Sequence, residues 1–90
     1  MKVTEYCDAL NLEIRLTYYP NQNGRWTASF VSCEVKESPD AFVLSSAYGD
    51  GRSPEGAIAA YVERIKGRIL VVDAMREGVR TYAVPKSLEA

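Results

Sequence analysis

The chain has 90 residues, of which 47% are hydrophobic and 26% are charged, a composition typical of one small globular domain rather than of a disordered or collagen-like chain. Eleven basic and twelve acidic residues give a net charge of −1, which does not favour a dedicated nucleic-acid binder. The absence of histidine excludes imidazole as a base or metal ligand. We expect one domain over residues 1–90, with an N-terminal arm at 1–9, a core at 10–84 and a tail at 85–90.

The two cysteines, Cys7 and Cys33, are far apart in the sequence and form no CxxC pair, which argues against a structural zinc site. They favour reduced thiols in a cytosolic protein, and a disulfide stays open if Cys7 lies beside the strand that carries Cys33. The first residues lack the apolar run of a signal peptide. The longest strongly apolar stretch, 69–72, is too short to span a bilayer. The expected location is cytoplasmic, with no membrane partner.

Three strands are predicted in the first half of the chain. Apolar and polar residues alternate over 10–19, as in a half-buried strand, and turn residues follow at 20–24. A second strand is predicted over 25–35. Residues 41–48 are rich in β-branched and aromatic side chains and predict a third strand. Together these strands are expected to form an antiparallel meander.

A helix is predicted over 54–66, because Ser53 is a good N-cap, Pro54 suits the first helical position and apolar residues recur at helical spacing. Residues 68–74 predict a buried strand and residues 79–84 a final one. The order is therefore β-β-β-α-β-β. A right-handed crossover places the fourth strand parallel to the first. We expect an α+β fold with one mixed five-stranded sheet, ordered 3-2-1-4-5, and the helix on one face.

The segment at 48–57 reads Tyr-Gly-Asp-Gly-Arg-Ser-Pro-Glu-Gly-Ala and follows the predicted meander. In this order of elements, residues 10–74 resemble the HicB-like antitoxin domain, whose fold is similar to half of a ribonuclease H domain. The resemblance rests on Gly51, Ser53, Pro54, Glu55 and Ala57. The chain departs from the family in two ways, because Gly56 replaces a second Glu and no DNA-binding segment follows before residue 90.

This resemblance implies a non-enzymatic module that binds a small toxin ribonuclease and blocks it by occupying its surface. A fainter likeness to small phage-encoded proteins lies in the strand at 69–74 and in the closing Tyr-x-Val-Pro at 82–85. That likeness implies a host defence or regulatory protein as the partner instead. No cofactor and no catalytic residue are expected.

The sheet face without a helix is the expected partner surface, since exposed aromatic and β-branched side chains suit an interface. Its candidate residues are Tyr19, Thr27, Ser29 and Val43. The predicted strand 41–48 has no charged residue to guard its edge. We therefore expect a homodimer through this edge or the adjoining open face. The alternative is a monomer whose surface stays free until the partner arrives.

A second hypothesis is nucleic-acid binding by the C-terminal third, because residues 64–90 hold six basic and three acidic residues. Its candidate contacts are Arg64, Lys66, Arg68, Arg76 and Arg80. A helix N-terminus can also hold an anion. The candidate anion site consists of Gly49, Gly51 and Ser53, for which the alternative is a tight turn followed by an N-cap.

The likeness to ribonuclease H raises a minor alternative, a metal-dependent nuclease. That fold places carboxylates on its first strand, its first helix and its fourth strand. The residues in those elements are Glu13, Glu55 or Glu63, and Asp73. Two metal ions would need these carboxylates around one shared centre, and Arg15 on the same face as Glu13 opposes that arrangement. We therefore expect no metal.

Overall fold

The computed structural model describes residues 1–90 and contains two α-helices, six strands and one 3₁₀ turn. In chain order the elements are α1 (Val3–Leu10), β1 (Ile14–Tyr19), the 3₁₀ turn (Pro20–Gln22), β2 (Arg25–Phe30), β3 (Cys33–Lys36), β4 (Gly49–Gly51), α2 (Pro54–Ile65), β5 (Ile69–Val72) and β6 (Arg80–Ala83). The predicted α+β class is confirmed. Neither α-helix has the length and the apolar run that a membrane span requires.

The strands form two three-stranded antiparallel sheets, ordered β1-β2-β4 and β3-β5-β6. The predicted single mixed sheet, ordered 3-2-1-4-5, is therefore wrong. The hairpin between β1 and β2 does form as predicted, with Tyr19 opposite Arg25 and Ile14 opposite Phe30. No pair among the six strands is parallel, so the predicted fourth strand does not lie beside the first.

The physical reason is a break in the predicted strand 25–35, which the structure divides into β2 and β3. Ser32 has a φ of +59°, in the left-handed region that interrupts a pleated strand. At this kink the Val31 N–H donates to the Glu13 carbonyl at 3.0 Å, and the Asp73 N–H donates to the Ser32 carbonyl at 2.9 Å. β1 therefore pairs with the first half of the interrupted strand, β2, and β5 pairs with the second half, β3.

The predicted strand 41–48 is also wrong. Its one ladder contact is an isolated bridge between Ser45 and Val35, and the Phe42 side chain is 99% exposed. A high β-propensity stabilises a strand only where its side chains can pack, and here Phe42 and Val43 are exposed while only Ala47 is buried. The homodimer expected through the 41–48 edge therefore has no edge strand to use.

α2 forms where the sequence predicts it, although it ends at Ile65, one residue early. The Ser53 hydroxyl caps it by accepting a hydrogen bond from the Gly56 N–H at 3.0 Å. The helix packs on the backbone of β4, which pairs with β2 in place of the predicted third strand. A Cβ on Gly51 would lie 2.5 Å from the Ala57 amide nitrogen, so this close approach requires glycine.

α1 occupies the segment that the sequence analysis assigns to an arm at 1–9. Val3, Tyr6 and Cys7 are its buried residues, and their spacing is that of one helix face. The helix ends at Asn11, whose φ of +55° is left-handed. The sequence therefore contains a helical pattern in this segment. The segment predicted as an arm is a helix that packs into the core.

The C-terminal tail is part of the core as well. Leu88 is only 3% exposed, and Val84 is buried beside it in the same cluster. The Val3 N–H donates to the Glu89 carbonyl at 2.6 Å, which ties the tail to the start of α1. The core therefore extends past the expected bounds of 10–84 at both ends.

Both helices lie on the same face of the first sheet. The Phe30 ring of β2 packs against Tyr6 of α1, with ring centroids 6.3 Å apart, and against Tyr61 of α2, with centroids 5.1 Å apart. All three rings belong to one core cluster. The opposite face of β1, β2 and β4 carries no helix, and the candidate site is built on it.

Candidate functional site

The helix-free face of the first sheet presents the side chains that alternate with the buried ones. Ala28 and Phe30 of β2 point into the core, so the residues between them point outward. The strand register places their neighbours in β1 and β4 on the same side. We call this surface the open face, and its residues are Arg15, Thr17, Tyr19, Arg25, Thr27, Ser29 and Asp50.

Arg25 is the centre of a cluster on the open face. Its guanidinium carbon lies 5.4 Å from the centroid of the Tyr19 ring and 5.7 Å from that of the Tyr48 ring, within cation–π range. Nε and Nη2 both donate to the Asp50 carboxylate, the latter at 3.1 Å, and Nη1 donates to Gln22 Oε1 at 2.8 Å. We call these five residues the Arg25 cluster. Their contacts hold the guanidinium in one orientation.

The ion pair in this cluster keeps both of its groups charged. The hydrogen bond from Arg25 lowers the pKa of the Asp50 carboxyl, and the same bond raises the pKa of the Arg25 guanidinium. A carboxyl with a lowered pKa stabilises the fold above its ordinary pKa, and this contribution is lost as the pH falls through the lowered value. Because the pair is open to solvent, it orders the cluster more than it stabilises the fold.

The local sequence explains how the cluster assembles. Tyr19 ends β1 and Arg25 begins β2, so the hairpin turn places them opposite each other. Gly24 supplies the φ of +69° at the end of that turn. Gly49 of β4 faces α2, and the alternation of side chains along a strand then directs Asp50 to the open face.

A solvent-open cleft of about 420 Å³ adjoins the open face. Arg15, Ser29 and Tyr48 line it on the sheet side, and Asp73 and Arg76 line it from the loop after β5. Neither arginine takes part in an ion pair. The cleft extends the polar and aromatic surface of the open face toward the second sheet.

Cys33 lines the same cleft, but its environment makes it a poor nucleophile. Its Sγ donates to the Val31 carbonyl at 3.4 Å, and burial, reinforced by the Asp73 carboxylate, raises its pKa from 9.0 to about 11. Burial also raises the pKa of Cys7. Both cysteines are free thiols, so the disulfide that the sequence left open is not formed. Thiols with raised pKa values stay protonated at neutral pH.

The structure brings together three of the four residues predicted for the partner surface. Tyr19, Thr27 and Ser29 share the open face. Val43 is 76% exposed but lies elsewhere: Tyr19 is level with the start of β2, whereas the bridge of Ser45 to Val35 holds the 41–48 segment beside β3. The two levels therefore lie on different strands, β2 and β3, on either side of the kink at Ser32.

The predicted anion site is not an open cradle. The Ser53 hydroxyl accepts from the Gly56 N–H, and the Ser53 carbonyl accepts from the Ala57 N–H at 3.0 Å. Gly49 and Gly51 are pressed against α2. These residues form a turn, a cap and a close strand–helix contact, which is the alternative that the sequence analysis left open.

The five basic residues predicted for nucleic-acid binding fall into two groups. Arg64, Lys66 and Arg68 lie at the end of α2, where Lys66 pairs with Glu63 at 2.8 Å. Arg68 pairs with Glu37 at 3.0 Å and also donates to the Arg64 carbonyl. Arg76 and Arg80 follow β5, about 13 Å further along that strand. The chain therefore presents no continuous basic stripe.

The carboxylates considered for a nuclease centre do not converge. No group of three His, Cys, Asp or Glu side chains could hold a metal ion. Glu13 and Asp73 do line one small groove at the kink between β2 and β3. Glu55 lies in the first turn of α2, and Glu63 pairs with Lys66 near its other end. The geometry for two-metal chemistry is therefore missing.

Gln22, Arg25, Tyr48 and Asp50 are the residues of the Arg25 cluster that sequence reasoning missed. Arg25 is two residues from Thr27 in β2 and therefore lies on the same face, so the alternation of side chains along β2 predicts its position. Asp50 could not be found in this way, because it follows a segment that reads as a strand but folds as a loop. Its position depends on β4 pairing with β2.

Comparisons with known proteins identify no relative. No protein-family model matches the chain, no curated protein matches it, and no solved structure matches it. Function is therefore inferred from the residues and their geometry.

Proposed function

We propose that this protein is a non-enzymatic binding module that acts by occupying the surface of a partner protein through its open face. The observation that carries the proposal is the Arg25 cluster, in which Tyr19, Arg25 and Tyr48 meet at a solvent-exposed sheet surface. Tyrosine and arginine are among the residues that most often dominate binding energy at protein interfaces. Prior ordering of the guanidinium by Asp50 reduces the entropy lost on binding.

The non-enzymatic part of the proposal rests on the chemistry of the side chains. The chain has no histidine to activate a nucleophile. Burial raises the pKa of Cys33 to about 11 and keeps its thiol protonated at neutral pH. The carboxylates are dispersed over the fold. These features support binding without chemistry.

The partner class comes from the resemblance of residues 48–57 to the helix start of HicB-like antitoxin domains. That resemblance supports a small toxin ribonuclease as the partner. The fainter likeness to phage-encoded proteins supports a host protein. A cytoplasmic location fits either partner.

Capture from a lysate of the native host tests the proposal. The wild type, a Tyr19→Ala/Tyr48→Ala double variant and a Phe42→Ala variant would be immobilised at equal density, and the retained proteins identified by mass spectrometry. Phe42 is the matched control, because it is a fully exposed aromatic residue that belongs to neither the open face nor the Arg25 cluster. We expect the wild type and the control to retain the same protein and the double variant to lose it.

Two results would contradict the proposal. One is equal capture by the double variant, which would place the partner site elsewhere. The other is salt-sensitive retention of RNA or DNA without any specific protein, which would favour the nucleic-acid alternative. Once a partner is identified, Arg25→Lys refines the test, because lysine keeps the charge but loses the planar, two-pronged contact with Asp50. We expect at least tenfold weaker binding.

A further inference from the structure

β1 has a free edge. β2 lies at the centre of the first sheet, with β1 on one side and β4 on the other. The Val31 N–H donates to the Glu13 carbonyl, so the odd-numbered residues of β1 direct their backbone groups toward β2. The N–H and C=O groups of Ile14, Leu16 and Tyr18 therefore point outward. None of them takes part in a hydrogen bond outside the ladder.

Within the strand itself, this edge has few of the devices that normally block strand addition, and the nearest proline, Pro20, lies just past its end. Residues 14–19 contain one charged side chain, Arg15, and no proline or lysine. Leu16 and Tyr18 are 40% and 50% exposed, although they lie on the face that carries the helices. The Tyr18 ring packs on the Trp26 ring, with centroids 4.8 Å apart. The edge is thus an unpaired backbone ladder beside an exposed apolar row.

The other free edges are shorter or guarded. β4 spans only three residues, Gly49–Gly51. β6 spans four, begins with Arg80 and is followed after one residue by Pro85. Arginine and proline at such positions discourage strand pairing. β1 has six residues and is longer than the other edge strands, β3, β4 and β6.

We propose that the β1 edge binds the β1 edge of a second copy of this chain, in antiparallel register with Thr17 on the two-fold axis. In this register Leu16 lies across from Tyr18 of the second copy, and both residues direct their unpaired backbone groups into the new ladder. Arg15 lies across from Tyr19 of the second copy, so the only charge on the strand meets an aromatic ring instead of a like charge. The strand is therefore complementary to itself, as an isologous interface requires.

The dimer extends the first sheet sideways to six strands. The exposed Leu16 and Tyr18 side chains of the two copies then form one apolar row between the two α2 helices, which removes them from water. The open face stays uncovered, so the dimer presents two Arg25 clusters on one side. The proposal rests on the edge of β1, whereas the proposed function rests on the Arg25 cluster. Tyr19 is common to both, and the variants that test the dimer leave Tyr19 unchanged, so either proposal can fail without the other.

Disulfide trapping tests the register. In the proposed ladder the two Thr17 residues form a non-hydrogen-bonded pair, whose Cα atoms lie about 4.5 Å apart, within the range that a disulfide spans. Thr17→Cys should therefore form a covalent dimer under mild oxidation. Thr81→Cys is the matched control, because Thr81 is an exposed threonine on the guarded β6 edge. The wild type controls for Cys7 and Cys33.

Sedimentation velocity over a range of concentrations tests the dimer without a cross-link. We expect the wild type to dimerise in the micromolar range, and Leu16→Lys to weaken dimerisation at least tenfold while keeping its circular dichroism spectrum. Val79→Lys, at a residue of similar exposure outside β1, should leave dimerisation unchanged.

Three outcomes would overturn the proposal. The first is a wild type that remains monomeric up to near-millimolar concentration. The second is equal cross-linking of Thr17→Cys and Thr81→Cys, which would indicate random collision. The third is protection of the β1 amides from hydrogen exchange only after a partner protein is added, which would assign the edge to that partner instead of a second copy.

Discussion

Replacing Gly49 with alanine should strongly destabilise the protein, because α2 rests directly on the backbone of β4. A Cβ at position 49 would lie 2.7 Å from the Tyr61 Cα and closer still to the Ala57 carbonyl oxygen and the Tyr61 amide nitrogen. Ordinary contacts between carbon atoms are about 3.5–4.0 Å, so α2 would have to retreat by about 1 Å. The contacting atoms are all backbone atoms, and no side chain can rotate to make room.

The magnitude follows from this geometry. Overpacking a close contact costs about 1–3 kcal/mol and sometimes more, and displacement of a whole helix places Gly49→Ala at about 3 kcal/mol. A chain of this length has a total unfolding free energy of about 5–13 kcal/mol. For a domain of this size each kcal/mol lowers the melting temperature by about 4–8 °C, so we expect a decrease of about 12–24 °C.

Thermal unfolding followed by circular dichroism measures this effect, and two glycine variants calibrate it. Gly78 has a φ of +81°, and a Cβ at this position would have no atom within 4 Å, so Gly78→Ala should cost only about 1 kcal/mol of backbone strain. Gly56 lies in the first turn of α2, where alanine is favoured, and its Cβ would lie 3.1 Å from Ser53 Oγ. Gly56→Ala should be nearly neutral. A melting temperature of Gly49→Ala equal to that of Gly78→Ala would refute the packing of α2 on β4.

Three other predictions test the core and its titratable groups. Leu88→Ala should lower the unfolding free energy in urea by about 2–5 kcal/mol, because Leu88 is buried; a change below about 1 kcal/mol would mean that the tail is not packed. Burial raises the pKa of Tyr6 and Tyr61 to about 12, so at high pH the folded state retains protons that the unfolded state releases. The free energy of unfolding should therefore be unaffected at neutral pH and decrease above about pH 9–10. A melting temperature that is constant to pH 11 would contradict this. Iodoacetamide should label both thiols slowly in the native protein, because burial raises the pKa of each and lowers the fraction of reactive thiolate; native labelling as fast as in urea would contradict this.

The elements that the sequence predicted correctly depend on neighbours in the chain. Ser53 and Pro54 determine where α2 begins, because a cap needs only the next three residues. The turn before Arg25 determines the hairpin of β1 and β2, and with it the pairing of Tyr19 and Arg25. Tyr19, Thr27 and Ser29 could therefore be placed on one face from alternation alone.

The misassigned elements show the limit of such local patterns. Residues 41–48 have the composition of a strand, but Phe42 and Val43 are exposed and only Ala47 is buried, and β-propensity has little effect where the side chains do not pack. The helical spacing of Val3, Tyr6 and Cys7 was present but was not assigned, although the burial of those residues against the first sheet makes α1 stable.

The sequence by itself determined the α+β class, α2, the first hairpin and three residues of its open face, because these depend on periodicity and on interactions over a few residues. The tertiary structure alone decided which strands pair. A single left-handed residue, Ser32, divides one strand into two, and the close contact of Gly49 and Gly51 with α2 selects β4 as the neighbour of β2. Asp50 therefore reaches Arg25 only in the folded chain, since long-range pairing depends on the sum of packing over the whole core and not on any local pattern.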